Sequence, residues 1–213
     1  LENLSCFYTS PLHTSFYQLS TAVVARELLG KILVWHQPVR YSDDHSSHCI
    51  TLAGRIVETE AYLHKGDAAS HSARGCTDRN KAMFAKGGIM YIYKIYGIHH
   101  CINVVTEDEG KGCAVLIRAV EPLLGIALMQ QQRGTQDVRR LCNGPGNLAQ
   151  AFGFSLVHNG LSLCSEALSI QDAERIPDAM TLITTRVGIT KDAHLPLRFC
   201  IRGNPYVSKG KPS

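Results

Sequence analysis

The sequence predicts an α+β fold: one domain on a curved, mixed or antiparallel β-sheet, with peripheral helices and a protruding β-hairpin. Three observations predict it. Strand-length runs of alternating or continuous apolar character recur at residues 49–62, 90–95, 99–105 and 113–120. Helical spacing is confined to short stretches around them. No repeat, low-complexity tract or linker divides the 213 residues, so 1–213 reads as a single domain with an irregular lead-in (1–15) and a tail (209–213).

The elements follow in order. Residues 1–19 carry aromatics without periodicity. Ser20 or Thr21 caps a helix that runs to Leu29, and Gly30 supplies its stop. Residues 31–35 read as a strand. Residues 36–47, with a proline, two aspartates and three serines, read as a loop. Residues 49–62 form the longest strand, with Gly54 placed for a bulge. Residues 64–88 are irregular, with a helical turn over 80–84. Residues 90–95 and 99–105 make a hairpin around Tyr96-Gly97-Ile98, and 106–112 a second turn. Residues 113–120 are a buried strand. Helical spacing of Leu124, Leu128 and Met129 predicts a helix over 122–133. Asn143-Gly144-Pro145-Gly146 is a turn into a helix over 147–152. Residues 153–180 read as peripheral, and 181–189 and 199–202 as late strands.

Composition bounds the function. At 45% hydrophobic and 19% charged, the chain can bury a core and is not a disordered tail. A net charge of +4 mildly favours polyanionic partners. No apolar run approaches the ~18 residues a membrane span needs, and no secretory signal opens the chain. Leu1 is not an initiator methionine, which leaves room for residues upstream. The eight cysteines are irregularly spaced, with no Cys-x-x-Cys pair, and read as reduced thiols of a cytosolic chain. A zinc set of His99, His100, Cys101 and Cys113 is disfavoured, because adjacent strand residues point to opposite faces.

Several residues carry chemistry. Strand alternation places Glu58, Glu60 and Tyr62 on one face. Carboxylates beside an aromatic ring suit a general base at an apolar pocket; the competing reading is a solvated polar face. Arg118 lies inside the apolar run Val115-Leu116-Ile117-Arg118-Ala119-Val120, where a charge needs a carboxylate partner. Tyr91 and Tyr93 share a strand face, which ordinary sheet packing also explains. Tyr96, beside Gly97 at the hairpin tip, has little core to enter, which fits a wedge or a ring folded onto its own hairpin. Arg74, Arg79, Lys81 and Lys86 lie in a glycine-containing segment with one acidic residue, Asp78. Such a segment suits a phosphate backbone or a plain solvated surface. Gly144 and Gly146, before a helix, can offer N–H groups to a phosphate or serve only as a turn. Walker-type GxxxxGK[ST], GxGxxG after a strand, GxSxG, and the HxE with PCxxC of zinc deaminases are all absent.

Taken together, the chain resembles the alkyladenine (3-methyladenine) DNA glycosylases of the mammalian type. The blocks that carry the resemblance include Ala25-Arg26-Glu27-Leu28-Leu29-Gly30-Lys31, Gly54-Arg55-Ile56-Val57-Glu58-Thr59-Glu60-Ala61-Tyr62, Asp67-Ala68-Ala69-Ser70-His71-Ser72 and Tyr91-Ile92-Tyr93-Lys94-Ile95-Tyr96-Gly97. They continue through Cys101-Ile102-Asn103, Val115 to Pro122, Asn143 to Leu148, Arg186-Val187-Gly188-Ile189, and Pro196 to Pro205. They keep family order and span about residues 16–208.

The resemblance implies an enzyme that flips a damaged purine nucleotide out of duplex DNA and hydrolyses its N-glycosidic bond. The lesions expected are 3-methyladenine, 7-methylguanine, hypoxanthine and ethenoadenine. Glu60 would activate the water, with Arg118 and the backbone carbonyl of Val187 positioning it. Tyr62, His71 and Tyr93 would enclose the base, Asn103 would oppose guanine's amino group, and Tyr96 would fill the gap in the duplex. Glu58 would support the site. No Schiff-base lysine matches, so a monofunctional enzyme is implied. No metal or organic cofactor is implied. The expected partner is double-stranded DNA, bound by a monomer, in a bacterial-like cytoplasm or a nucleus.

The sequence departs from the family pattern at Asn147, where lysine is common, and at His99, where an aromatic is. The loop after His71 is about one residue shorter than in vertebrate members. The reading of a different class is a catalytically silent DNA-damage-binding module; a carboxylate facing the sugar discriminates against it. A tRNA-modifying or RNA-binding protein is more distant, since RNA readers more often stack bases on an open sheet.

Overall fold

A computed structural model describes residues 10–39 and 48–208. The described fold is α+β. Eight strands form one sheet, in the order β3-β4-β5-β2-β1-β6, with β8 also paired to β2 and β7 to β8. The strands are β1 (Ile32–Val39), β2 (His48–Tyr62), β3 (Met90–Ile95), β4 (His99–Thr106), β5 (Cys113–Leu124), β6 (Leu168–Gln171), β7 (Thr181–Thr184) and β8 (Arg198–Ile201). Every pairing is antiparallel.

β2, at 15 residues, is the spine. On one side it pairs with β5 from Ala53 to Tyr62; on the other it pairs first with β1 and then, over Glu58–Glu60, with β8. A strand this long outruns any one neighbour, so the sheet forks along its edge. The ladder with β5 shifts register at Ala53/Gly54, Ile56/Glu58 and Glu58/Thr59. Gly54 is the bulge the sequence marks. A Cβ there would lie 2.6 Å from Cγ2 of Val120, so only glycine lets β5 approach.

Alternation sorts side chains onto two faces. Ala61, Met90, Ile92, Ile102, Val104, Val115 and Ile117 enter the main core. Helix α1 (Thr21–Glu27) packs on β2 and β5 on that side, and the Thr59 hydroxyl donates to the Ala25 carbonyl at 2.7 Å. The intervening residues Tyr91, Val105 and Ala114 form a smaller cluster with Met83, against which Tyr62 and Tyr93 rest. The site grows from this second cluster. Helix α3 (Pro145–Ala151) packs on β4 and β5, and α2 (Ile126–Arg133) packs on α3.

Four expectations need correction. β1 runs on to Val39, because His36–Val39 pair with His48–Thr51; the polar composition of 36–39 hides an edge-side ladder. Residues 40–47 of the expected loop lie outside the described residues. The helix expected from residue 122 starts at Ile126: Pro122 and Leu124 still pair with β2, and Gly125, at φ 73°, breaks the chain into the helix. Residues 153–180 are not peripheral. They carry β6 on the edge of β1, with Phe154, Leu163, Leu168 and Ile170 in the core. The strand expected over 181–189 ends at Thr184, and the stretch beyond it is loop. The lead-in, for its part, contains a 3-10 helix (Thr14–Gln18) whose Tyr17 is fully buried. Residues 1–9 and 209–213 lie outside the described residues.

Candidate active site

The floor of the site is a pair of carboxylates on β2. Glu58 and Glu60 are both fully buried, which excludes the solvated-face reading of this strand. A buried charge requires partners, and each glutamate has a full set. Glu58 accepts from Arg118 Nε at 2.9 Å and Arg198 Nε at 2.7 Å. It also accepts from the Ser208 backbone N–H at 2.7 Å and the Ser208 hydroxyl at 2.9 Å. Glu60 accepts at Oε1 from the Val187 backbone N–H at 2.7 Å and at Oε2 from the Tyr62 hydroxyl at 2.9 Å. Arg118 Nη1 lies 3.3 Å from the same Oε2. One arginine therefore joins both carboxylates, as the charge inside its apolar run demands.

The electrostatics follow from burial. Desolvation raises the Glu60 pKa above the ordinary carboxylate value of 4.5. Arg118, the Val187 N–H and the Tyr62 hydroxyl pull the other way, and Glu58 adds to the rise. Burial works against the charge on Arg118, but Glu60 and Glu58 outweigh it, so it stays a cation. Burial and the Glu60 charge push the Tyr62 phenol up, so Tyr62 stays a neutral donor.

In front of this floor lies a cleft of about 840 Å³, lined by Tyr62, His71, Tyr91, Tyr93, Asn103 and Arg118 among others. Its walls are aromatic. The His71 and Tyr93 ring centroids are 4.4 Å apart, nearly perpendicular, and Tyr91 and Tyr93 are 5.7 Å apart. The Tyr91 hydroxyl and His71 Nδ1 are 3.0 Å apart. Desolvation lowers the His71 pKa, which keeps the imidazole neutral at pH 7. Asn103 is buried, and its Nδ2 donates to the Tyr91 carbonyl at 3.0 Å.

Glu60 itself does not line the cleft; the groups that hold it (Tyr62, Arg118 and Val187) do. Val187 meets the carboxylate through its N–H, whereas the sequence reading invoked its carbonyl.

The hairpin tip lies at the rim. The loop between Ile95 and His99 holds three residues, and Ile98 N–H donates to the Ile95 carbonyl across Tyr96 (φ 53°) and Gly97 (φ 72°), both at positive φ as in a turn of the primed type. A tyrosine is unusual there, since a side chain in the left-handed region costs about 1 kcal/mol or more. Tyr96 is 82% exposed, so it does not fold back onto its hairpin, and it lines the cleft mouth. Of the expected backbone contacts, Arg74, Arg79, Lys81 and Lys86 are all exposed, and Arg79 lines the cleft. Gly144 caps α3, which begins at Pro145 rather than at 147. Gly146 packs closely on His99, where an added Cβ would lie 3.2 Å from the histidine Cβ. Asn147 donates to Asn143 at 3.0 Å. Among the described residues no group of three or more His, Cys, Asp or Glu is placed to hold a metal ion.

Sequence reasoning passed over two groups. Ordinary sheet packing accounts for Tyr91 in the sequence, yet its hydroxyl lies 3.0 Å from His71 Nδ1. Arg186 enters the sequence reading only within the block Arg186-Val187-Gly188-Ile189. It is fully buried and forks onto Asp67 through two contacts of 2.7 Å. Its only sequence signal is a charge between a strand and a glycine, which is too common to single out.

A buried, arginine-paired carboxylate behind an aromatic cleft, with an exposed ring at the rim, is an arrangement that can serve acid–base chemistry beside a flat ring. Comparison with known proteins gives the family. The methylpurine-DNA glycosylase (MPG) family model matches residues 15–205. A Methanoculleus marisnigri protein named "Putative 3-methyladenine DNA glycosylase" is 48% identical over 201 residues, covering 93% of this chain and 98% of its own. Proteins of the same name from Chlorobaculum parvum (48% over 197 residues; 92% and 90% covered) and Rhodopseudomonas palustris (44% over 198; 93% and 90%) are also similar. The chain belongs to the methylpurine-DNA glycosylase family and is, by that membership, a monofunctional DNA glycosylase, an N-glycosyl hydrolase.

Proposed function

We propose that this chain acts in base-excision repair, flipping alkylated or deaminated purines from duplex DNA and releasing them with a Glu60-activated water. The observation that carries this reading is the placement of Glu60, held by Tyr62, Arg118 and Val187, directly behind a cleft walled by tyrosines and His71. Stacked aromatic faces are what an extruded base needs. The names of the relatives point to 3-methyladenine as one substrate.

The chemistry balances as a hydrolysis. The water oxygen bonds to C1′ as the bond from C1′ to the purine nitrogen breaks, and the water proton passes to Glu60. Oε1 carries one protein hydrogen bond and retains a lone pair for that water. Arg118 supports the ionised state of Glu60. The ionised Glu60 carboxylate, behind the cleft, favours oxocarbenium character at C1′. A cationic lesion such as 3-methyladenine or 7-methylguanine leaves neutral, so it needs no acid. Hypoxanthine or ethenoadenine needs hydrogen bonds or a proton on the leaving base, and the backbone near His71 is the candidate donor. Asn103, fixed by its bond to Tyr91, is the candidate for opposing guanine. Tyr96 is the wedge that holds the gap in the duplex open. Arg74, Arg79, Lys81 and Lys86, with the N–H groups around Gly144 and Gly146, follow the phosphates. The enzyme works as a monomer on double-stranded DNA, in the cytoplasm beside the genome.

The test is a single-turnover assay on duplexes carrying one 7-methylguanine, hypoxanthine or ethenoadenine, with alkali cleavage of the abasic product. Wild type is run beside Glu60→Gln. Product from wild type alone supports the reading. Tight lesion binding without product from either makes the protein a silent damage binder. Equal product from both overturns the role of Glu60.

A further inference from the structure

The Asp67–Arg186 ion pair touches no part of the cleft surface, yet it lies under three of its walls. Both side chains are fully buried and bind as a two-toothed fork. Arg186 Nη1 also donates to the Ala61 carbonyl at 3.1 Å. The guanidinium carbon sits 4.7 Å from the Tyr62 ring centroid. Asp67 accepts from the Leu63 and Ala69 backbone N–H groups, so it also shapes the turn that leads to His71. Val187, next in the chain, is the residue whose N–H meets Glu60. This stretch of chain is loop, since β7 ends at Thr184, so ladder bonds do not fix it.

We propose that the Asp67–Arg186 pair is a positioning device for Glu60. It fixes the Val187 N–H on one carboxylate oxygen and, through the Tyr62 ring, the phenolic hydroxyl on the other. The proposal rests on the reading of Glu60 as the base of the reaction. Arginine suits the role because its planar fork sets direction as well as charge, which a lysine ammonium does not.

The groups facing Glu60 can be named. Glu58 and Tyr62 come from β2, Arg118 from β5, Cys101 from β4, Arg198 and Cys200 from β8, and the Val187 N–H from the loop. Arg198 is committed to Glu58. Arg118, Tyr62 and the Val187 N–H are the groups that favour the ionised form. The ion pair governs the last two. Loosening it removes donors to the carboxylate and moves the Glu60 pKa further up.

The test uses the full chain, labelled with ¹⁵N. The Val187 amide proton resonance follows Glu60 ionisation through the hydrogen bond it donates. It is titrated in wild type, Arg186→Lys, Asp67→Asn and Lys31→Met; the last breaks a remote ion pair with Asp172. Excision rate against pH is measured in parallel. The expected result is a titrating Val187 amide in wild type and in Lys31→Met. In Arg186→Lys and Asp67→Asn that response is lost or moved, and the acid limb of the rate profile rises by about one pH unit. If Asp67→Asn fails to fold, Arg186→Lys carries the comparison alone. A wild-type amide that does not titrate overturns the proposal. So does a variant that loses thermal stability but keeps the wild-type titration. Absent excision in wild type, with the amide result as expected, removes the glycosylase reading and leaves the positioning role.

Discussion

The Tyr62 hydroxyl donates to Glu60 at 2.9 Å, so one wall of the cleft and the carboxylate behind it form a single hydrogen-bonded unit. On the proposed reading, a base stacked on Tyr62 would be in register with the carboxylate that serves its sugar. Ring position and carboxylate position cannot drift apart without breaking a charge-assisted hydrogen bond, the stronger kind.

Glu60→Gln is expected to lower single-turnover excision by about 10²–10⁴-fold, the range for loss of a general base. Lesion-duplex affinity should stay within a few-fold, because the cleft walls are untouched. Rapid-quench kinetics beside a gel-shift titration checks both numbers. A tenfold loss of affinity with intact excision would contradict the assignment.

Excision should rise with pH along an acid limb whose midpoint lies above 4.5, the ordinary carboxylate value, because burial raises the Glu60 pKa. The sign follows from the role: the base works ionised, so activity is lost as pH falls through the folded-state pKa. Burial lowers the His71 pKa, so any limb from His71 should lie below the ordinary imidazole value of 6.5. A profile at saturating enzyme decides this.

Glu58→Ala removes the acceptor for two buried arginines and for Ser208. Arg118 keeps Glu60, but Arg198 loses its carboxylate, and leaving a buried charge unpaired costs about 3–5 kcal/mol. Denaturant unfolding should show a lower midpoint of that size. Truncation before Val207 takes away Ser208 and should shift stability in the same direction by less, since both arginines keep their carboxylate.

Tyr96→Gly should weaken capture of the flipped nucleotide by about tenfold, taking the ~1–3 kcal/mol typical of an aromatic contact to bases. Fold stability should hold or rise slightly, since glycine relieves a positive φ and the ring is exposed. The fluorescence of an ethenoadenine duplex, brighter when unstacked, reads the first effect, and thermal unfolding the second. Unchanged fluorescence would rule out the wedge.

DNA affinity should fall steeply with salt. If Arg74, Arg79, Lys81 and Lys86 each neutralise one phosphate, the slope of log affinity against log salt is about −3 to −4. Lys81→Ala should reduce its magnitude by about one while leaving lesion preference unchanged.

Much of this was legible in the sequence, for reasons that differ by element. The alternation of β2 placed Glu58, Glu60 and Tyr62 on one face, and the bulge at Gly54 followed from a missing side chain. Arg118 announced a carboxylate partner by its position alone. β6 escaped because Leu168–Gln171 is short, and only its burial against β1 makes it a strand. The false helix start at residue 122 came from counting apolar spacing across Gly125, whose positive φ breaks the path. Ion pairs are the hardest to foresee. Asp67 and Arg186 stand far apart in sequence, and nothing local to either names the other.

The fork along β2 has a consequence for how the enzyme fails. Glu58 and Glu60 lie where the strand is flanked on both sides, by β5 and by β8. Fraying begins at edges and tips, such as the Tyr96 hairpin, and reaches this strand last. Heating should therefore dull grip on the duplex before it touches the hydrolytic step. Turnover of lesions already bound would disappear only with the whole molecule's cooperative melting, which makes residual catalysis a thermometer of global unfolding.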